Sequence, residues 1–86
     1  MFSNKLSSGR NNICGIAIEQ RRKAMKKSQR QLADMLQLAG LDIDKNAVQR
    51  IEAGKRFVTD IELTYIAEVL NLSYVQLLHP GNEKEL

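Results

Sequence analysis

Polar side chains that form hydrogen bonds recur on one side of a short segment near the middle of the chain: Lys45, Asn46, Gln49 and Arg50. Their spacing places all four on one face of an α-helix. Arg and Lys can donate to the two acceptors of guanine, and Asn and Gln can pair both ways with adenine. The spacing alone leaves an ordinary solvated helix face as the alternative.

The helix that would carry these side chains has predicted ends and a predicted buried face. Asp44 is the expected N-cap and Gly54 the expected stop, which gives a helix over about residues 45–53. Val48 and Ile51 form a narrow apolar face on the opposite side. We therefore expect the polar face to point to solvent.

Four further helices are predicted around this one. Three of them open with a capping box, a Ser or Thr followed three positions later by Gln or Glu: Ser28 with Gln31, Thr59 with Glu62, and Ser73 with Gln76. An apolar stripe predicts the remaining helix over about residues 13–26. No segment alternates as a strand does, so the sequence predicts an all-α fold, a compact five-helix bundle.

The helical segments lie between two polar ends. Residues 1–12 show no apolar period and are predicted to be a flexible arm, and residues 80–86 a similar C-terminal tail. Residues 13–79 then form a single domain. At 86 residues the chain is long enough for one small domain and not for two.

Composition excludes several classes of protein. One Cys and one His leave no disulfide framework and no Cys/His zinc site, so we expect no metal and no cofactor. No apolar run approaches a membrane span, and a soluble, cytoplasmic protein is expected. The sequence also has no Gly-rich phosphate loop and no catalytic arrangement of Ser, His and Asp, so we do not expect an enzyme.

The charges are divided unevenly along the chain. Residues 1–56 carry a net charge of +7, whereas residues 57–86 carry −4. Such an asymmetry suggests that one end meets a polyanion, and nucleic acid is the first candidate.

Arg22 falls on the apolar stripe of the first helix, where a charged side chain needs a partner.

The order of three motifs resembles the phage-repressor and Cro type of helix-turn-helix, the XRE family or λ-repressor-like DNA-binding domain. The motifs are Ser-Gln-Arg-Gln-Leu-Ala at 28–33, Val-Gln-Arg-Ile-Glu-Ala-Gly-Lys-Arg at 48–56, and Glu-Leu at 62–63 followed by the segment 66–73. Joined in this order the motifs are specific, and the resemblance covers about residues 13–79.

The resemblance implies a role for each candidate residue. The third helix would lie in the major groove of double-stranded DNA, so its four polar residues become the candidates for base contact. Phosphate contacts are implied at the start of the second helix and after the third: Ser28, Gln29, Lys55 and Arg56. An ion pair between Arg22 and Glu52 is also implied, which supplies the partner that Arg22 needs.

One departure from the family pattern lies between the second and third helices. The connection from Ala39 to Lys45 is about five residues longer than the usual short turn. We expect an extra turn on the second helix, which Gly40 ends, and a linker that turns outward with Leu41 and Ile43 tucked in. The docking angle of the third helix stays open at this point.

The family resemblance also implies how the chain assembles and acts. Tyr74, Val75 and Leu78 are more apolar than a small core requires, and they predict a homodimer interface. We expect a bacterial or phage transcriptional regulator, a repressor that binds a palindromic operator as a homodimer. The alternative is an antitoxin or anti-regulator, an interaction module whose partner is a toxin or another regulatory protein.

Overall fold

The computed structural model describes residues 8–79 and forms five α-helices and no strand over that range. Their bounds are α1 Cys14–Ala24, α2 Gln29–Ala39, α3 Lys45–Glu52, α4 Asp60–Leu70 and α5 Tyr74–Leu78. The predicted all-α fold is therefore confirmed. The arm residues 1–7 and the tail 80–86 lie outside the described residues.

The helices begin where local side chains satisfy free backbone N–H groups. All three predicted capping boxes form, with the hydroxyls of Ser28, Thr59 and Ser73 accepting from the N–H three residues later. Asp44 caps α3 by accepting a hydrogen bond from the N–H of Ala47 at 2.8 Å. Each such cap contributes about 1 kcal/mol to stability relative to alanine.

Two of the five described helices end at a residue in the left-handed conformation. Gly40 ends α2 with a φ of 113°, as predicted, and Asn71 ends α4 with a φ of 54°. Lys26 has a φ of 59°, so α1 stops before it and is shorter than the predicted 13–26. In the connection between α1 and α2, the guanidinium of Arg22 donates to the carbonyl of Lys27 at 2.9 Å.

The connection between α2 and α3 runs from Gly40 to Asp44. Ile43 is only 3% exposed and Leu41 is half-buried, so both apolar side chains are tucked in as predicted. The amide of Gln37 donates to the carbonyl of Ile43 at 2.7 Å and ties the connection to α2.

The core lies between α1 and the other helices. α1 contacts α3, α4 and α5, and α2 contacts α3 and α4. The largest fully buried side chains come from all five helices: Ile18, Leu32, Leu36, Val48, Ile51, Ile66, Leu70 and Leu77. This core holds α3 by one side only.

The last residues of the predicted arm over residues 1–12 contact the C-terminal end of α3. The N–H of Asn11 donates to the carbonyl of Gly54 at 2.7 Å, and Arg10 and Asn12 also donate to the end of α3. These donors meet carbonyls in the last turn of α3 and in the residues that follow it. Residues 10–12 therefore contact the domain that the sequence places at residues 13–79.

Candidate nucleic-acid interface

One face of α3 is exposed because its opposite face is anchored in the core. Val48 and Ile51 are each 2% exposed and fix the rotation of the helix. The four residues predicted to contact bases are all exposed: Lys45, Asn46, Gln49 and Arg50. Asn46, Gln49 and Arg50 line one shallow depression of about 380 Å³, together with Ala53 and Lys55. The structure therefore brings three of the four predicted base-contacting side chains together, and Lys45 lies outside this depression.

The cations on this face are available for a ligand. Within residues 8–79, Lys45, Arg50 and Lys55 form no ion pair. The face itself contains no acidic residue, although Asp44 lies at the beginning of α3, where one of its carboxylate oxygens accepts from the N–H of Ala47. A cationic, hydrogen-bonding surface of this kind suits a polyanion.

A buried ion pair joins α3 to α1. The guanidinium of Arg22 donates to both carboxylate oxygens of Glu52, from Nε at 2.7 Å and from Nη2 at 2.9 Å. The hydrogen bond to Glu52 raises the pKa of Arg22 above its ordinary value. A buried pair of this geometry favours one arrangement of the two helices more than it adds net stability.

The end of α3 is held by a second contact that the sequence does not predict. Arg10 donates from Nη2 to the carbonyl of Glu52 at 3.1 Å and to that of Ile51 at 3.4 Å. Asn12 donates from Nδ2 to the carbonyls of Ile51 at 3.0 Å and Arg56 at 2.8 Å. These bonds fix the C-terminal end of α3 and the first residues that follow it.

Asn12 also joins this contact to α1. Its Oδ1 accepts a hydrogen bond from the N–H of Gly15 at 2.9 Å, so the residue caps α1 while it holds α3. The backbones of α1 and α3 approach so closely at Gly15 that a Cβ there would collide with the carbonyl oxygen of Ile51. We name Arg10, Asn11 and Asn12 the N-terminal brace.

A family model described as helix-turn-helix matches residues 18–77 of the chain, well over half of its length. The chain belongs to the helix-turn-helix family of the XRE, Cro/C1 type. It is therefore a DNA-binding protein of a family that regulates transcription. Searches of curated proteins and of solved structures each found no significant match.

In this helix-turn-helix protein, the two residues at the start of α2 that are predicted to contact phosphate lie in different environments. Ser28 is exposed, and its hydroxyl accepts from the N–H of Gln31 at 3.0 Å. The side chain of Gln29 is half-buried, and its Nε2 donates to Glu52 Oε1 at 3.0 Å. Gln29 thereby links the start of α2 to the buried ion pair, a contact that its sequence position does not reveal.

The two predicted phosphate ligands after α3 also differ from each other. Lys55 is exposed, whereas Arg56 is half-buried and donates to both carboxylate oxygens of Glu62, at 3.1 Å and 2.9 Å. This hydrogen bonding raises the pKa of Arg56 and lowers that of Glu62. The Arg56–Glu62 pair is locally neutral, so Lys55 supplies the net charge at this point.

The residues predicted to form a dimer interface lie on α5. Tyr74, Val75 and Leu78 are 51%, 37% and 38% exposed, whereas Leu77 is fully buried in the core. Leu78 also borders an apolar groove of about 260 Å³, lined in part by Ile13, Phe57, Val58 and Leu63. Phe57 is 54% exposed, and its place in this groove does not follow from its position in the sequence.

Other kinds of site are not found in the part of the chain that the structure describes. No group of His, Cys, Asp and Glu in residues 8–79 is arranged to hold a metal ion. Cys14 is buried, and desolvation raises the pKa of its thiol to about 11. None of the five described helices is long and apolar enough to cross a membrane.

Proposed function

We propose that this protein is a transcriptional repressor that binds a palindromic operator in double-stranded DNA as a homodimer. The observation that carries the proposal is the exposed face of α3, which presents cationic and amide side chains and no carboxylate. The opposite side of the helix is fixed by the core, by the Arg22–Glu52 pair and by the N-terminal brace. A reading helix needs this combination of rigid support and free side chains.

Base contacts are assigned to four residues by their chemistry. Arg50 and Lys45 would donate to O6 and N7 of guanine, and Asn46 and Gln49 would pair with N6 and N7 of adenine. Each good bidentate contact discriminates against a wrong base by about 1 to 3 kcal/mol.

Phosphate contacts are assigned to both sides of the reading helix. Ser28 and Gln29 lie at the N-terminus of α2, where free N–H groups and the helix dipole favour an anion. Lys55 and Arg56 follow the other end of α3. Phosphate contacts set register and orientation on the duplex, whereas the side chains of α3 carry the sequence preference.

The dimer is assigned to the exposed apolar residues of α5 and the adjoining groove. Two copies related by a two-fold axis would place their α3 helices about 34 Å apart, on successive major grooves of one face of the duplex. A dimer that covers two grooves would block a promoter that overlaps its site. That steric effect is the basis for assigning repression.

Selection of bound duplexes from a random DNA pool at a fixed salt concentration tests this function. We expect a palindromic consensus whose half-sites are centred about one helical turn apart. Enrichment of single half-sites would contradict the dimer, and no enrichment of any sequence would contradict sequence-specific binding.

A protein-interaction module is the second candidate function. The observation that favours it is the exposed apolar groove, together with the net charge of −4 on residues 57–86. An antitoxin or anti-regulator would use that surface to hold a toxin or another regulatory protein. The same selection distinguishes the two, because a module without sequence-specific DNA binding would enrich no consensus.

A further inference from the structure

Glu62 binds Arg56 with the same geometry that a phosphate would use, so the two anions compete for this side chain. Two nitrogens of the guanidinium face the two oxygens of the carboxylate at 3.1 Å and 2.9 Å. Phosphate is bound by the same planar, bidentate arrangement of N–H donors. Arg56 therefore cannot present this pair of donors to Glu62 and to a phosphate at the same time.

Glu62 does not depend on Arg56 for its position. Its Oε1 accepts a hydrogen bond from the N–H of Thr59 at 3.0 Å, which completes the capping box of α4. It also lies in the first turn of α4, where the helix dipole favours a carboxylate. The fixed member of the pair is therefore Glu62.

Arg56 lies in the connection between α3 and α4, one residue after Lys55. Its side chain is 31% exposed, so part of the guanidinium reaches the surface. A long, unbranched side chain at such a position can exchange one anionic partner for another by rotation of its own torsions. Lys55 forms no ion pair in residues 8–79 and needs no such exchange.

From this geometry we propose that Glu62 sets the strength of DNA binding by withholding Arg56 from the phosphate backbone. The proposal rests on the DNA-binding function proposed above. While the pair is closed, its two charges cancel, and Arg56 displaces no counterion from the duplex. When the pair opens, Arg56 adds one phosphate contact. Glu62 would thus weaken binding to all sequences by a similar factor.

The substitution Glu62→Gln tests the proposal, because it removes the negative charge and retains the cap. Glutamine fills this position in the other two capping boxes of the chain, where Gln31 and Gln76 accept the N-cap N–H at 2.8 Å and 2.9 Å. We expect Glu62→Gln to bind both cognate and random duplex roughly 3- to 10-fold more tightly. We also expect the slope of log K against log salt to steepen by about 0.9, the value for one phosphate.

Asp60→Asn is the matched control, because it removes one exposed carboxylate from the same helix turn without touching Arg56. It should leave the salt slope unchanged. Adding Arg56→Ala to Glu62→Gln should abolish the gain in affinity. Circular dichroism checks that each variant remains folded at the assay temperature.

Four outcomes would overturn the proposal. Equal gains from Glu62→Gln and Asp60→Asn would show only a general effect of charge. Weaker binding by Glu62→Gln would mean that the carboxylate orients Arg56 for its phosphate rather than withholding it, and an unchanged affinity would mean that Arg56 does not contact DNA. If the unaltered protein and all variants fail to bind duplex, the proposed DNA-binding function fails, and this inference with it.

Discussion

Arg50 lies on the exposed face of α3, whereas Arg10, Arg22 and Arg56 are each bound to other groups of the domain. The four side chains carry the same charge, and their partners decide what each can do. Arg10 holds backbone carbonyls, Arg22 is buried against Glu52, and Arg56 is paired with Glu62. Of these four side chains, only Arg50 is bound to no other group in residues 8–79. Its N–H donors are therefore available to another molecule.

Arg50→Ala should therefore weaken binding to the cognate operator by about 1 to 3 kcal/mol and relax the preference at one base pair. Fluorescence anisotropy on cognate and single-mismatch duplexes, at one salt concentration, measures both effects. Lys23→Ala is the control, since Lys23 lies on α1 in an exposed pair with Glu19. An equal loss on random DNA would contradict base reading by Arg50.

Asn12 makes the largest set of hydrogen bonds in the N-terminal brace. Asn12→Ala removes donors from the carbonyls of Ile51 and Arg56 and an acceptor from the N–H of Gly15. We expect the free energy of unfolding to fall by about 2 to 3 kcal/mol, because the buried N–H of Gly15 loses its acceptor and the carbonyl of Arg56 loses its donor. Urea denaturation followed by circular dichroism measures this change.

Asn11→Ala provides the comparison at the neighbouring position. The Asn11 side chain makes one exposed hydrogen bond, from Nδ2 to the carbonyl of Lys55 at 3.2 Å. Its removal should cost about 0.5 to 1 kcal/mol. Similar losses for both substitutions would argue that the brace does not stabilise the domain through the buried bonds of Asn12.

At the scale of elements, the helix starts could be predicted because their signals are local. A Ser or Thr and a Gln or Glu three residues apart meet within one helix turn, whatever the rest of the chain does. All three such boxes form, and the exposed face of α3 also follows from its own spacing. Local spacing therefore predicts most of the fold and the exposed position of the four side chains that we propose to read bases.

The contacts that cross between elements could not be predicted in this way. Arg10 and Asn12 meet α3 across about 40 positions of sequence, and polar residues before a helix read locally as a loose arm. Likewise Gln29 and Arg56 read as exposed polar residues, whereas both are bound to glutamates of other segments. A count of charges in the sequence cannot predict which Arg or Lys side chains form ion pairs, because pairing depends on distances in the folded protein.

The stabilisation that the Arg56–Glu62 pair gives to the connection between α3 and α4 should depend on pH. Arg56 lowers the pKa of Glu62 below its ordinary value of 4.5, so the folded state favours the ionised carboxylate. The stabilisation is then present above pH 4.5 and is lost as the pH falls through the lowered pKa. The pair is partly exposed, so its contribution is about 0.5 to 1 kcal/mol.

Comparison of the unaltered protein with Glu62→Gln isolates this contribution. Near pH 7 the unaltered protein should be the more stable by about that amount, and the difference should shrink as the pH falls below the ordinary Glu value. Urea denaturation at a series of pH values measures the difference. A difference that stays constant down to about pH 3 would contradict the assignment.

At the scale of the whole molecule, the two functions are assigned to different helices. The net charge of +7 belongs to residues 1–56, which include α3 and Lys55, and the −4 belongs to residues 57–86, which include α4 and α5. An acidic segment is poorly suited to phosphate, whereas exposed apolar side chains suit another protein surface. The division of charge thus agrees with DNA at the surface of α3, and the exposed apolar residues of α5 are those assigned to a second copy.

Val75→Glu should separate dimerisation from DNA reading. Val75 is 37% exposed on α5, so a carboxylate there disturbs little of the monomer, but it would be desolvated and repelled in a two-fold contact. We expect a monomer by sedimentation equilibrium, and binding to the full palindrome weakened roughly 10- to 100-fold while half-site binding changes little. Leu38→Glu is the matched control, because Leu38 is an exposed apolar residue on α2, at 89%. If Leu38→Glu dissociates the dimer and Val75→Glu does not, the interface is on α2 and the assignment to α5 is wrong.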